Sequence, residues 1–125
     1  MAEHPNAALV RQALDSMSRG DTQGIAGALS DDVEWHEIGR AEPIRGKAAL
    51  AERFGGSTED YQITAQMHDV VANDEHAIAL VEATGNRGGK SLTYRTAEIF
   101  HIRDGKITAR WAFSDDTARV TEFFA

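Results

Sequence analysis

Residues 30–46 read Ser-Asp-Asp-Val-Glu-Trp-His-Glu-Ile-Gly-Arg-Ala-Glu-Pro-Ile-Arg-Gly: a helix exit, a short strand, and a loop returning to another helix. Successive strand side chains point to opposite faces, so Val33, Trp35 and Glu37 share one face while Glu34, His36 and Ile38 share the other. A carboxylate that follows Val and Trp onto an apolar face needs a reason, because an unpaired buried charge is costly. Either Glu37 faces a functional pocket, or it reaches solvent or pairs with Arg40 or Arg45.

Upstream, Leu9, Val10, Ala13, Leu14 and Met17 fall on one helical stripe, with Pro5 suited to the first turn and Gly20 to the C-terminal cap. Asp21 can cap a short second helix through about Leu29. Downstream, Leu50 and Phe54 stand four apart in a third helix that stops at Gly55-Gly56. Beyond Asp60 the pattern is β, with runs at 61–71, 76–86, 91–102 and 106–114 separated by Asn73-Asp74, Gly88-Gly89 and Asp104-Gly105. These predict an antiparallel meander. Asp115 or Asp116 can cap a last helical segment whose Val120, Phe123 and Phe124 must pack on the sheet or on a partner subunit.

Two-residue turns make the hairpins into rulers. Counting from Gly88-Gly89 sets Glu98 opposite Ala79, Thr96 opposite Val81 and Tyr94 opposite Ala83. Counting from Asp104-Gly105 sets Glu98 opposite Trp111, Thr96 opposite Phe113 and Tyr94 opposite Asp115. One face then carries Ala77, Ala79, Val81, Ala83, Tyr94, Thr96, Glu98, Phe100, Trp111 and Phe113. Small alanines beside large aromatics predict a cavity there, since a packed interior needs side-chain volume to close it. Depending on the Asn73-Asp74 turn, either His68 and Gln66 or Asp69, Met67 and Ala65 join this face; the apolar set suits it better. The opposite face, with Arg95, Ala97, Ile99, His101, Thr108, Arg110 and Ala112, suits solvent or a moderately polar subunit contact.

At 125 residues the chain is read as a single domain, 1–125, and its net charge of -7 argues against phosphate-backbone binding. The absence of cysteine excludes disulfides, thiolate metal sites and a cysteine nucleophile. No stretch approaches the ~20 apolar residues of a bilayer span, and a cytoplasmic location is expected. The Trp-His-Glu run lacks the spacing of a zinc helix, and His4, His68 and His76 add no partner pair. Neither metal nor organic cofactor is expected.

Helices, a strand and then a four-strand meander resemble the cone-shaped α+β fold of nuclear transport factor 2 (NTF2-like, or cystatin-like). In that fold, N-terminal helices pack on a curved antiparallel sheet that encloses a pocket. The chain is similar to the branch of SnoaL-like polyketide cyclases and ketosteroid isomerases. The resemblance spans nearly the whole chain. It rests on Arg-Gly-Asp at 19–21, Leu-Ser-Asp-Asp-Val at 29–33, Pro-Ile-Arg-Gly-Lys-Ala-Ala-Leu at 43–50 and Phe-His-Ile-Arg-Asp-Gly-Lys-Ile at 100–107.

The resemblance places Glu37 where the ketosteroid isomerases have their aspartate general base. It places Glu98 where they have the protonated aspartate of the oxyanion hole. The family's first-helix tyrosine is Ala13 here, and both aspartates are glutamates. Within this branch the final strand often ends in an acidic residue near the cavity mouth, which implies a role for Asp115 or Asp116. The implied activity is proton transfer next to a carbonyl, isomerising or cyclising, with Glu37 as base, Glu98 donating to the oxyanion and Tyr94 assisting. Trp35, Phe54, Met67, Ala79, Val81, Tyr94, Thr96, Trp111 and Phe113 are the expected ligand contacts. For Glu98 the alternative is a structural hydrogen bond to Trp111 or Tyr94. The expected partners are a small apolar or polycyclic carbonyl ligand and a second copy of the chain, with no nucleic acid and no membrane. The second reading is a non-catalytic module that uses the cone for ligand binding or dimerisation, since one fold hosts both roles.

Overall fold

The computed structural model describes residues 3–55 and 61–125. Helix α1 (Pro5–Ser18) starts at Pro5, its first turn capped by the His4 side chain, which accepts from the Asn6 amide. Its stripe of Ala7, Val10 and Ala13 is buried. Gly20 follows at φ +70, and Asp21 caps α2 (Thr22–Ala28) by accepting from the Gly24 amide at 3.0 Å. Strand β1 (Leu29–Trp35) is followed by β2 (Ile44–Arg45), α3 (Lys47–Gly55) and the long strands β3 (Tyr61–Ala72), β4 (His76–Arg87), β5 (Lys90–Arg103) and β6 (Lys106–Ser114). Helix α4 (Thr117–Phe124) closes the chain, capped by Asp116, which accepts from the Arg119 amide. Among the described residues no helix is long and apolar enough to cross a membrane.

The six strands form one sheet in the order β2-β1-β6-β5-β4-β3. The meander β3 to β6 is antiparallel as expected, but β1 runs parallel to β6, so the sheet is mixed. Helix α1 packs on β3 and β4, and α3 on β1. The core between these layers holds Val10, Val33, Leu50, Phe100 and Ile107, all fully buried. Removing each such side chain from water stabilises the fold by roughly 1.5–3 kcal/mol. A smaller apolar cluster, Ala83, Leu92, Tyr94 and Val120 with Ile38, Phe123 and Phe124 around it, holds α4 against the far end of the sheet. The C-terminal aromatic patch thus packs on its own sheet.

The β4–β5 hairpin has the predicted register, with Ala79 opposite Glu98, Val81 opposite Thr96 and Ala83 opposite Tyr94. Gly88 and Gly89 both have positive φ, the geometry that a two-residue turn demands. The β5–β6 hairpin has the predicted turn, Asp104 and Gly105 again both at positive φ, but not the predicted register. Arg103 pairs with Lys106 and Ile102 with Ile107; His101 then pairs with Ala109, leaving Thr108 as an extra, bulged residue. Beyond the bulge every side chain changes face. Glu98 stands opposite Ala112, Phe100 opposite Arg110, and Trp111 and Phe113 fall opposite Ile99 and Ala97 on the outer face. In β3 a bulge between Met67 and Asp69 puts Ala65 and Met67 on the inner face, opposite Ala83 and Val81, and turns Asp69 outward opposite Leu80.

Candidate active site

The loop after β1 carries Glu37 inward, as strand alternation from Val33 and Trp35 predicts; those two side chains are buried. The position of the loop is set by β6. The His36 amide donates to the Arg110 carbonyl at 2.8 Å, and Arg110 Nη1 donates back to the His36 carbonyl at 3.0 Å. On the outer face the His36 ring stacks on Trp111, centroids 4.8 Å apart. This is the outward side that parity assigns to His36.

Glu37 borders a cavity of about 680 Å³ between α1, the sheet and α4. Its walls are mainly apolar, with Leu14 and Met17 from α1, Trp35 from β1, Met67 from β3, Val81 from β4, and Val120 and Phe124 from α4. Its volume lies in the range of small-molecule sites. Asp15 and Ser18 of α1 also border it, and two polar stations enter it from the loop after β1 and from β5. At the first, Arg53 Nη2 donates to Glu37 Oε2 at 3.4 Å and Arg40 Nε lies 3.7 Å from Oε1, with the Glu37 side chain 22% exposed. Glu37 therefore has both of the roles weighed for it: it faces the cavity, and it pairs with Arg40.

At the second station, Arg110 Nε and Nη2 donate to Glu98 Oε1 at 3.1 and 2.7 Å, and Thr96 Oγ1 donates to Oε2 at 3.3 Å. The Arg110 guanidinium also lies over the Trp35 ring, 4.6 Å from its centroid. In this arrangement Glu98 accepts three hydrogen bonds, where the resemblance implied a donor. The cause is the Thr108 bulge, which brings Arg110 instead of Trp111 to the inner face.

Trp35, Met67, Val81, Tyr94, Thr96, Glu37 and Glu98 of the expected set line the cavity. Ala79 does not: it is fully buried in the core beside Ala77 and Phe100. Trp111 and Phe113 stand on the outer face, where Phe113 is 56% exposed. Asp115 is exposed and extends the sheet ladder, its amide donating to the Arg95 carbonyl and its Oδ1 accepting from the Arg95 amide. It sits opposite Arg95 instead of Tyr94 because of the same bulge. The side chain of Phe54 lies outside the described residues. Arg53 and Arg110 were missed by sequence reading. Arg53 follows Leu50 by three on α3 and was within reach of a helical projection, whereas Arg110 required knowledge of the bulge.

A curved mixed sheet, covering helices and a cavity with two carboxylate stations define an NTF2-like α+β protein. The model of the SnoaL-like domain matches residues 10–110, and the chain belongs to that family. It is 28% identical to an uncharacterized protein of Mycobacterium tuberculosis over 138 aligned positions that cover 100% of both chains. Among solved structures it is similar to Bal32a, from a soil-derived mobile gene cassette, with 24% identity, TM-score 0.87 and 97% of each chain covered. It is also similar to an NTF2-like protein of unknown function from Burkholderia pseudomallei, with 18% identity, TM-score 0.84 and 98% of each chain covered. At these identities the solved structures establish the fold.

Proposed function

We propose that this SnoaL-like domain is a small-molecule enzyme of the acid/base type, in which Glu37 takes a proton from the carbon next to a carbonyl of a largely apolar ligand. The observation that carries the reading is a half-buried carboxylate flanked by guanidinium groups at the edge of a cavity of about 680 Å³ with apolar walls. In the proposed step the C–H bond breaks, the proton passes to a Glu37 oxygen, and the electron pair becomes an enolate. Arg53, beside Glu37, is the group best placed to meet the charge on the enolate oxygen, in place of the donor role first considered for Glu98. Return of the proton to another carbon gives an isomerase; attack of the enolate carbon on a second carbonyl opens that C=O bond to an alkoxide, which takes the proton from Glu37, and gives a cyclase. An open cavity bordered by both Glu37 and Glu98 supports the enzyme over a dimerisation module with a filled cone.

The test uses a simple apolar ketone, 2-tetralone, in deuterated buffer, with loss of its α C–H signals followed by NMR. Wild-type protein accelerates exchange, and Glu37→Gln reduces the acceleration by about 10²–10⁴-fold, the usual contribution of a general base, while ketone binding persists. Undiminished exchange in Glu37→Gln removes the base assignment.

We further propose that a second copy of the chain covers the outer sheet face. Val71, Ile78, Leu80 and Phe113 are exposed there, close to the Glu82–Arg95 ion pair. Sedimentation distinguishes the outcomes: a dimer that Leu80→Glu converts to monomer supports the contact, and a monomeric wild type overturns it.

A further inference from the structure

We infer that the Thr96–Glu98–Arg110 station receives a ligand hydroxyl, so that the ligand carries an alcohol or phenol in addition to the carbonyl on which Glu37 acts. The inference rests on the proposed use of the cavity as a small-molecule site and deepens it by naming a second functional group of the ligand.

The donors and acceptors at this station can be counted. An ionised carboxylate accepts at about four lone-pair positions and donates at none. On Glu98, Oε1 accepts from Arg110 Nε and Nη2, and Oε2 accepts from the Thr96 hydroxyl. That leaves an acceptor position on Oε2. The Thr96 oxygen, its proton directed at Oε2, presents only lone pairs to a newcomer. Both residues border the cavity and are otherwise buried, 8% and 7% exposed, so a partner from outside the chain reaches them from the cavity. A ketone or ether oxygen, which only accepts, can meet Arg110 but sets its lone pairs against those of Glu98 and Thr96 and leaves the acceptor position on Oε2 unfilled. A hydroxyl donates to the carboxylate, and a hydrogen bond to a charged group is stronger than one between neutral groups. Its own oxygen can accept in turn from Arg110, whose guanidinium has five N–H groups, three of them directed at Glu98 and the His36 carbonyl.

The experiment measures binding without turnover. Wild-type protein, Glu37→Gln and the paired variant Glu98→Leu/Arg110→Met are titrated by calorimetry with 2-naphthol, 2-methylnaphthalene and 2-methoxynaphthalene. The paired variant replaces both ions together, so that neither is left buried and unpaired. In wild type and Glu37→Gln, 2-naphthol binds at least about tenfold more tightly than the other two, as one charge-assisted hydrogen bond provides. In the paired variant the three probes bind within about threefold of one another. Thr96→Val, which keeps the shape of the side chain, decides the matter if the paired variant fails to fold: it changes the preference at least threefold, and an unchanged preference there counts against the site.

Equal affinity for 2-naphthol and 2-methoxynaphthalene in wild type overturns the inference. So does failure of 2-naphthol to bind at its solubility limit, or a preference lost in Glu37→Gln but retained in the paired variant. Tetralone exchange that survives Glu37→Gln, alongside an intact hydroxyl preference, removes the base assignment and leaves this inference standing. The reverse pattern removes this inference alone.

Discussion

Replacing Arg110 with Met exposes how much of the site depends on one side chain. Arg110 and Glu98 are 11% and 10% exposed at their side chains, so the pair is effectively dry. Removing one partner of such a pair leaves the other charge buried without compensation, a loss of about 3–5 kcal/mol. The hydrogen bond to the His36 carbonyl and the contact with the Trp35 ring disappear with it; because these share one side chain they do not add separately. For a domain of this size 1 kcal/mol moves the melting temperature by roughly 3–5 °C, so Arg110→Met is expected to melt about 10–20 °C below wild type. Urea unfolding followed by far-UV circular dichroism measures the same loss at 25 °C. Glu98→Leu added to Arg110→Met restores most of it, to within about 2 kcal/mol of wild type, since no lone ion remains. An Arg110→Met loss below about 1 kcal/mol would refute the reasoning, as would a double variant no more stable than the single.

Gly85 lies beneath the end of α4, where an added Cβ would stand 2.6 Å from Phe124 Cζ and 3.2 Å from the Phe123 ring. Gly85→Ala is expected to unseat the helix, lowering amide-exchange protection in residues 117–124 far more than in β4 and β5. Ala83 is buried and faces the cavity opposite Tyr94. Ala83→Leu places its extra carbons in open space, so 2-naphthol affinity falls at least about tenfold while stability stays within about 1 kcal/mol; equal affinity would show that the ligand does not reach β4.

Legibility in the sequence followed the strength of local constraints. Gly88-Gly89 determines the β4–β5 register because both positions need positive φ, and the pairs counted from it are the pairs observed. The Asp104-Gly105 turn is equally well determined, yet the register beyond it is displaced. Simple alternation from Ile107 leads through Ala109 and Trp111 to Phe113, an apolar series that reads as inward. The outer face is itself apolar at Ile99, Trp111 and Phe113, so the pattern could not discriminate between faces. The charged residue brought inward, Arg110, was hidden for the same reason, and with it the partner of Glu98. The row of alanines predicted a cavity but not where it ends: Ala77 and Ala79 are covered by core packing around Phe100, while Ala83 remains at the cavity wall. Strand β2, two residues long, is too short to produce any periodicity.

The Thr108 bulge has a consequence for how such a protein can change over generations. Deletion of that single codon would leave every pair from His101–Ala109 onward as it stands and keep Arg110 at the cavity wall, whereas a change that flattened the bulge at unchanged length would slide β6 by one position and exchange Arg110 for Trp111 there. The chemistry of the chamber thus depends on whether the extra residue stays out of the ladder as well as on side-chain identity. Lineages that lose the extra residue and the bulge together would keep a polar chamber, and lineages that lose only the bulge would acquire a greasy one.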